Sequence, residues 1–284
     1  MRFTKMQAYG NDYVYIDAIN QKLPNLSLLA KYVSDRHFAI GSDGMVLICP
    51  SDTADFRMRI FNPDGTEGEM CGNAVRSVGK YVYDHRLTDK TEVMIETLGG
   101  IKHLTLFIED GQAVNIKADI GSPVFDTDII PVVTELKEFI DVPVKVDDIT
   151  LNITAVSWGN PHCVAFIDDV DSFDVHKYGP LLENMTELFP NRTNVTFAQL
   201  VDSENIKIRE WERGTGETIG CGTGCCTAVA AGVVTGRCRR HVSVEQIGGT
   251  LDINWLEEDG HMYMTGVSNT VFEADIDVSE IPSD

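Results

Sequence analysis

A long-period repeat limits what this chain can fold into more than any other feature. Gly10-Asn11 precedes an alternating run, Tyr13-Val14-Tyr15-Ile16-Asp17, and Gly159-Asn160 precedes Cys163-Val164-Ala165-Phe166-Ile167-Asp168, an offset of 160 − 11 = 149. Glu67-x-x-x-Cys71-Gly72-Asn73 returns as Glu217-x-x-x-Cys221-Gly222-Thr223, offset 221 − 71 = 150, each behind an apolar stretch of strand character at 57–61 and 206–211. Ile95-Glu96-x-x-Gly99-Gly100 with Asp110-Gly111 comes back as Val244-Glu245-x-x-Gly248-Gly249 with Asp259-Gly260, offset 249 − 100 = 149. Hairpin chemistry explains Gly-Gly and Asp-Gly pairs, but it does not hold two cysteines in register. The repeat therefore predicts a duplicated lobe rather than a short-period solenoid. The first lobe is expected over 1–120 and the second over 121–266, with the active site in a cleft between them.

Within each lobe the patterning is mostly strand. Runs at 102–108, 113–120 and 150–156 alternate and are bounded by Gly, Asp and Asn. Helices are expected at 73–83 and 223–235, each just after a Cys-Gly pair and rich in small residues, with further candidates at 26–36 and 177–188. The fold class is α+β, each lobe a twisted, barrel-like β-sheet around a central α-helix.

Composition removes several functions. The 284 residues carry 44 acidic and 23 basic side chains, a formal charge of −21, which repels phosphate backbones and anionic membranes. Nucleic acid and membrane are therefore not expected partners, although a small-molecule pocket can still be locally basic. No run reaches the length of a membrane span, and residues 1–16 carry Asn11 and Asp12 where a signal peptide needs its apolar core. A cytoplasmic location is expected. Seven cysteines, an odd number, point to reduced thiols with reactive or metal-binding roles.

Cys71 and Cys221 occupy equivalent positions at the predicted starts of two helices. The helix dipole and the free N–H groups of a first turn favour a thiolate, so both thiols are expected to have a lowered pKa. The N–H groups of Gly72-Asn73 and Gly222-Thr223 can also hold a carboxylate. A symmetric pair of acid–base groups suits removal of a proton from one face of a carbon and its delivery to the other, which is racemisation or epimerisation. Cys221-x-x-x-Cys225-Cys226 is poorly spaced for zinc, and no metal site is expected. Gly214-Thr215-Gly216 and the 220–224 segment lack the Lys-Ser/Thr ending of a phosphate loop.

The chain resembles the diaminopimelate epimerase family over nearly its whole length. The matching blocks are Gly10-Asn11-Asp12-Tyr13, Gly41-Ser42-Asp43-Gly44, Phe61-Asn62-Pro63-Asp64-Gly65, Glu69-Met70-Cys71-Gly72-Asn73, Trp158-Gly159-Asn160-Pro161-His162, Asn194-Val195, and Glu212-Arg213-Gly214 through Cys221-Gly222-Thr223-Gly224. The resemblance implies that C-terminal strands at 267–284 join the first lobe, and it implies a homodimer that works without a cofactor in lysine biosynthesis on a small-molecule substrate, diaminopimelate. It implies that Cys71 and Cys221 are the proton donor and acceptor, and that the backbone of Gly72, Asn73, Gly222 and Thr223 grips the carboxylate of the reacting centre. Asn62, Asn194 and Arg213 match positions that hold the distal amino-acid head, and Asn11, Asn160 and Gly44 match further substrate-lining positions. His162 and Glu212 match residues that tune the thiols or assist proton movement.

Three positions depart from the family pattern: Ser77 replaces a frequent Cys, Trp158 a smaller or Met-like residue, and Gly220 an Ala. They leave open a same-fold racemase of proline, hydroxyproline or histidine. Asn73 after Gly72, where proline-type racemases carry His, weighs against that alternative. A redox protein that switches a Cys71–Cys221 disulfide is the alternative from another class.

Overall fold

The computed structural model describes residues 1–283. The chain is α+β and divides into two compact units, the first made of Met1–Ala118 and the segment from Gly266 onward, the second of Asp119–Thr265. Among the described residues no helix is long and apolar enough to cross a membrane.

The first unit contains β1 (Arg2–Ala8), β2 (Asn11–Asp17), α1 (Leu26–Ser34), β3 (Met45–Cys49), β4 (Phe56–Phe61), β5 (Glu67–Gly68), α2 (Gly72–Asp84), β6 (Glu92–Thr97), β7 (Gly100–Glu109) and β8 (Gln112–Gly121). The second contains β9 (Val142–Val146), β10 (Ile149–Ser157), β11 (Pro161–Phe166), α3 (Val175–Glu183), β12 (Asn194–Asp202), β13 (Asn205–Glu212), β14 (Gly216–Thr218), α4 (Gly222–Val234), β15 (His241–Gln246), β16 (Gly249–Trp255) and β17 (Met262–Gly266). The last strand, β18 (Asn269–Asp275), belongs to the first unit and pairs antiparallel with β1.

Both ladders follow one plan. In the first, β1 and β2 are antiparallel, β2 and β3 parallel, and β3 and β4 antiparallel; β4 then takes β5 antiparallel and β6 parallel, and β6 leads to β7. In the second, β10 to β16 repeat these pairings in the same order and sense. β9 lies against β10 as β18 lies against β1. Each ladder curls around a helix of 13 residues, because α2 packs on β1, β2, β6 and β7, and α4 on β10 to β13, β15 and β16.

Period-two alternation assigns the two faces of each ladder. Val14 and Ile16 of β2 join Leu29, Ala30 and Val33 of α1 in one core, which leaves Tyr13 and Tyr15 on the opposite, α2-facing side. In the second unit Cys163, Ala165, Val195 and Phe197 pack with Tyr178 and Leu182 of α3. His162, Asn194 and Thr196 therefore alternate to the α4-facing side.

The central helices start one residue earlier than expected, because the cysteine itself is the N-cap. α1 ends at Ser34 rather than 36, since Asp35 turns extended and its carboxylate accepts from the N–H groups of His37 and Phe38. α3 begins earlier and ends earlier than the 177–188 expectation. Asp174 caps its start through Lys177 N, and Asn184 closes it by donating to Pro180 O at 2.8 Å.

α3 approaches β13 through a glycine. A Cβ at Gly179 would lie 2.7 Å from Cγ and Cδ2 of Trp211. Gly179→Ala is expected to destabilise the protein by about 1–3 kcal/mol, read by urea unfolding followed through tryptophan fluorescence. An unchanged midpoint would mean that the indole has room to move.

Candidate active site: two half-sites at helix N-termini

In the first unit Cys71 takes an extended conformation (φ −137°, ψ 124°) and caps α2. Its carbonyl accepts the first intrahelical bond, from Val75 N at 2.9 Å, so the N–H groups of Gly72, Asn73 and Ala74 lie ahead of the helical ladder. The thiol is half-buried and donates to Asn11 Oδ1 at 3.4 Å. Asn11 is in turn fixed by Asp43, which accepts from Asn11 Nδ2 at 2.8 Å and from Asp12 N at 3.0 Å. Arg36 bridges Asp12 and Asp43 at 2.7 and 2.8 Å, and Lys5 pairs with Asp12.

Behind the sulfur stand the buried phenols of Tyr13 and Tyr15, both held above the usual tyrosine range, first by burial. The fully buried Arg76 donates to Asn73 Oδ1 at 2.7 Å and Gly72 O at 3.1 Å, which stiffens the first turn from inside. Gly44 has a packing reason to be glycine. At φ +155° a Cβ would strike the Phe61 carbonyl oxygen and crowd the Tyr13 ring. Ser77 bonds Ser268 of the same unit at 2.7 Å, so the departure from cysteine forms a buried hydroxyl pair.

Asn62 lies at the exposed turn between β4 and β5, where its Nδ2 donates to Thr66 Oγ1 at 2.9 Å. Of the six residues expected in this half, Asn11, Cys71, Gly72 and Asn73 gather at the head of α2, and Gly44 lies against Phe61 and the Tyr13 ring. Asn62 is bonded within its own turn.

The second half-site repeats the cap with different surroundings. Cys221 is buried and its Sγ accepts from Gly224 N at 3.4 Å, with Thr223 Oγ1 at 3.5 Å. Gln246 Oε1 accepts from Cys221 N at 2.8 Å. The expected lowering of this thiol's pKa is overturned. Burial pushes Cys221 well above the usual thiol range, and the carboxylates of Glu212 and Glu210 push the same way, against the Thr223 hydroxyl and the Gly224 N–H. Desolvation here outweighs the helix end.

His162, Asn194 and Arg213 form a chain. β11 and β12 run in register at His162 and Asn194, which brings Asn194 Nδ2 within 3.5 Å of His162 Nε2 and 3.1 Å of Pro161 O. Asn194 Oδ1 accepts from Arg213 N at 2.9 Å, and Arg213 Nη1 donates to Asn191 O at 2.8 Å. Glu212 accepts from Thr218 Oγ1 at 2.6 Å. Asn160 lies in the turn between β10 and β11, and Trp158 next to it donates to Thr227 Oγ1 of α4 at 3.0 Å. Cys225 and Cys226 are fully buried within α4. Among the described residues, no three His, Cys, Asp or Glu side chains gather in a way that could hold a metal ion.

Sequence reasoning missed Glu210 and Gln246, which neighbour Cys221, Thr196, which donates to Glu210, and Asp43, which sets Asn11. Glu210 had a signal: on β13 it follows Ile206 and Ile208 at inward positions, where alternation calls for an apolar side chain.

His162 is 1% exposed, and burial, with the Arg213 charge second, depresses its pKa to about 3. A histidine depressed below its unfolded value near 6.5 contributes stability above that pH and loses it as pH falls toward the folded value. Between pH 7.5 and 5 the protein should therefore lose about 2 kcal/mol more stability than His162→Gln. Urea unfolding at the two pH values measures the difference, and equal losses would contradict a buried neutral imidazole.

Comparison with known proteins identifies the family. The diaminopimelate epimerase family profile matches residues 3–125 and 154–271. A diaminopimelate epimerase of Methanococcus maripaludis strain C5 is 52% identical over 278 residues, 98% of this chain and 100% of the relative. That of Acetivibrio thermocellus is 48% identical over 281 residues, 99% and 100% of the two chains. Among solved structures, a phenazine biosynthesis protein of the PhzF family from Bacillus anthracis superposes with a TM-score of 0.69 at 18% identity, covering 98% of this chain and 99% of that one. A hydroxyproline epimerase from Agrobacterium vitis with bound trans-4-OH-L-proline gives 0.64 at 14%, covering 99% and 94%. At such identities these two structures share the fold, whereas the sequence relatives share half their residues from end to end. With its duplicated ladders and its two cysteine-capped helices, this chain belongs to the diaminopimelate epimerase family.

Proposed function

We propose that the protein is an isomerase that interconverts L,L- and meso-diaminopimelate, a step of lysine biosynthesis, with Cys71 and Cys221 as the proton-transferring pair. The observation that carries the residue assignment is the placement of both thiols as N-caps of topologically equivalent helices, 150 positions apart (221 − 71). One thiol enters as thiolate and takes the α-proton. The other enters as thiol and delivers its proton to the opposite face of the same carbon, so reversing the reaction exchanges their roles. An α-hydrogen beside a carboxylate is a far weaker acid than a thiol, and stabilising the carbanion is the main task. The first-turn N–H groups at Gly72, Asn73, Gly222 and Thr223 supply fixed dipoles for that carboxylate, preorganised because each helix is enclosed by its ladder.

The second α-amino-carboxylate of the substrate asks for polar groups and a cation away from the sulfurs. Arg213, Asn194 and Asn62 suit that role, the arginine by pairing with the carboxylate in bidentate fashion. Asn11, Asn160 and Gly44 line the remainder of the site, and His162 and Glu212 adjust the state of Cys221. The same reading takes the active form as a homodimer in the cytoplasm, and sedimentation of the purified protein would test the dimer.

Incubation with L,L-diaminopimelate in deuterated water should place solvent deuterium at the α-carbon. Cys71→Ser and Cys221→Ser should each lower turnover about a thousandfold with circular dichroism unchanged. Absence of isotope uptake under reducing conditions would sink the assignment. Arg213→Met keeps the backbone N–H that bonds Asn194, so it should raise KM by about 10- to 100-fold with a smaller change in kcat. A pure kcat defect would remove Arg213 from the distal subsite.

A further inference from the structure

The two half-sites are built on one plan, yet the residues beneath the two sulfurs differ as a set. In the first unit Val46 of β3 pairs with Ile60 of β4, and Ala74 is the third residue after Cys71. In the second unit the register puts Thr196 opposite Glu210, and the third residue after Cys221 is Gly224. Neighbouring pairs fix the correspondence, since Arg59–Glu67 at 2.8 Å matches Arg209–Glu217 at 2.6 Å. Three apolar residues, all buried, are thus exchanged together for a carboxyl, a hydroxyl and a glycine.

The three replacements depend on one another. Glu210 is 2% exposed, and its Oε2 accepts from Thr196 Oγ1 at 2.5 Å. A Cβ at Gly224 would lie 2.5 Å from that same Oε2, so the carboxyl occupies the space that the missing methyl leaves beside the first turn of α4. Cys221 is its hydrogen-bonding neighbour. Oε1 faces His162 Nδ1 at 3.8 Å, and neither of these two atoms has a hydrogen-bond partner.

We infer that Glu210 is a positioning residue that exchanges one proton with Cys221. The inference rests on the reading of Cys221 as one of the two reacting thiols. In the exchange the S–H bond breaks, an O–H bond forms on Glu210, and the electron pair stays on sulfur. Thiol plus carboxylate becomes thiolate plus carboxylic acid, with the charge of the pair unchanged. Cys221 can then be made ready as base, or reset as acid after a turnover, without releasing a proton to water.

The titratable groups facing Glu210 are His162 from β11, Cys221 at the N-cap of α4 and Glu212 on its own strand, and Cys163, on the other face of β11, feels its charge. Burial pushes the Glu210 carboxyl, the Cys163 thiol and the Cys221 thiol up and holds His162 neutral. Two buried anions side by side are costly, so Glu210 and Cys221 carry at most one negative charge between them.

The test reads the sulfur directly. The whole protein is alkylated with iodoacetamide across a pH series, and labelling of each cysteine is quantified by peptide mass spectrometry. In Glu210→Gln the opposing carboxylate is gone, and the midpoint for Cys221 should fall by about one pH unit or more, while that of Cys71 stays in place. The triple variant Thr196→Val, Glu210→Ile, Gly224→Ala installs the first unit's own packing set and should shift Cys221 the same way if the single variant fails to fold. A Cys221 midpoint that stays at the wild-type pH in a folded variant overturns the inference. A general loosening would change labelling rates at both sites without moving one midpoint. Should wild type take up no deuterium from L,L-diaminopimelate, the proposed reaction fails, and the Cys221 titration still reports separately on Glu210.

Discussion

Everything in this molecule is arranged around a helix that begins with a sulfur. A helix leaves its first N–H groups without intrahelical partners, and a helix wrapped by a strand ladder cannot send them all to bulk water. Cys71 and Cys221 stand where serine or aspartate ordinarily caps, and sulfur is a weak acceptor. Gly224 N reaches Cys221 Sγ only at 3.4 Å. First-turn donors that are under-satisfied by their cap are well placed to bind an anionic substrate. The small residues of α4, among them Ala228, Ala230 and Ala231, let six strands close around it and hold those donors rigid.

The parts legible in the sequence were those governed by local chemistry and by spacing. The Cys-Gly pairs announced both central helices, and the offsets near 150 announced that the second set of strands would repeat the first. Helix ends were less legible where a single side chain decides them, as at Asp35 and Asn184. The sign of the Cys221 pKa was out of reach for a different reason. A helix-end argument uses neighbours in sequence, whereas the decisive quantities are burial and the carboxyl groups that β13 brings to the sulfur. Asp43 was equally hidden, since nothing near Asn11 in sequence says which residue will hold its amide.

Symmetry of plan does not make the two thiols chemically alike. Cys71 is half-buried against an asparagine amide with tyrosines behind it, and Cys221 is buried among two carboxyl groups, a threonine hydroxyl and a glutamine. A reaction that must run both ways on one carbon does not require equal partners. As the proposed proton-transferring pair, the two thiols need one site occupied and one empty, and unequal surroundings meet that condition more readily than identical ones.

The pairing of β18 with β1 has a consequence for biosynthesis. Arg2 lies opposite Asp275 and Gln7 opposite Asn269, so the edge of the first ladder is completed by residues made more than two hundred positions later. The second unit is continuous from Asp119 to Thr265 and has all its strands before β18 leaves the ribosome. The usual order, in which the N-terminal domain finishes first during translation, is therefore inverted. The half that is begun first is sealed last, and until then β1 presents one unpaired edge to the cell.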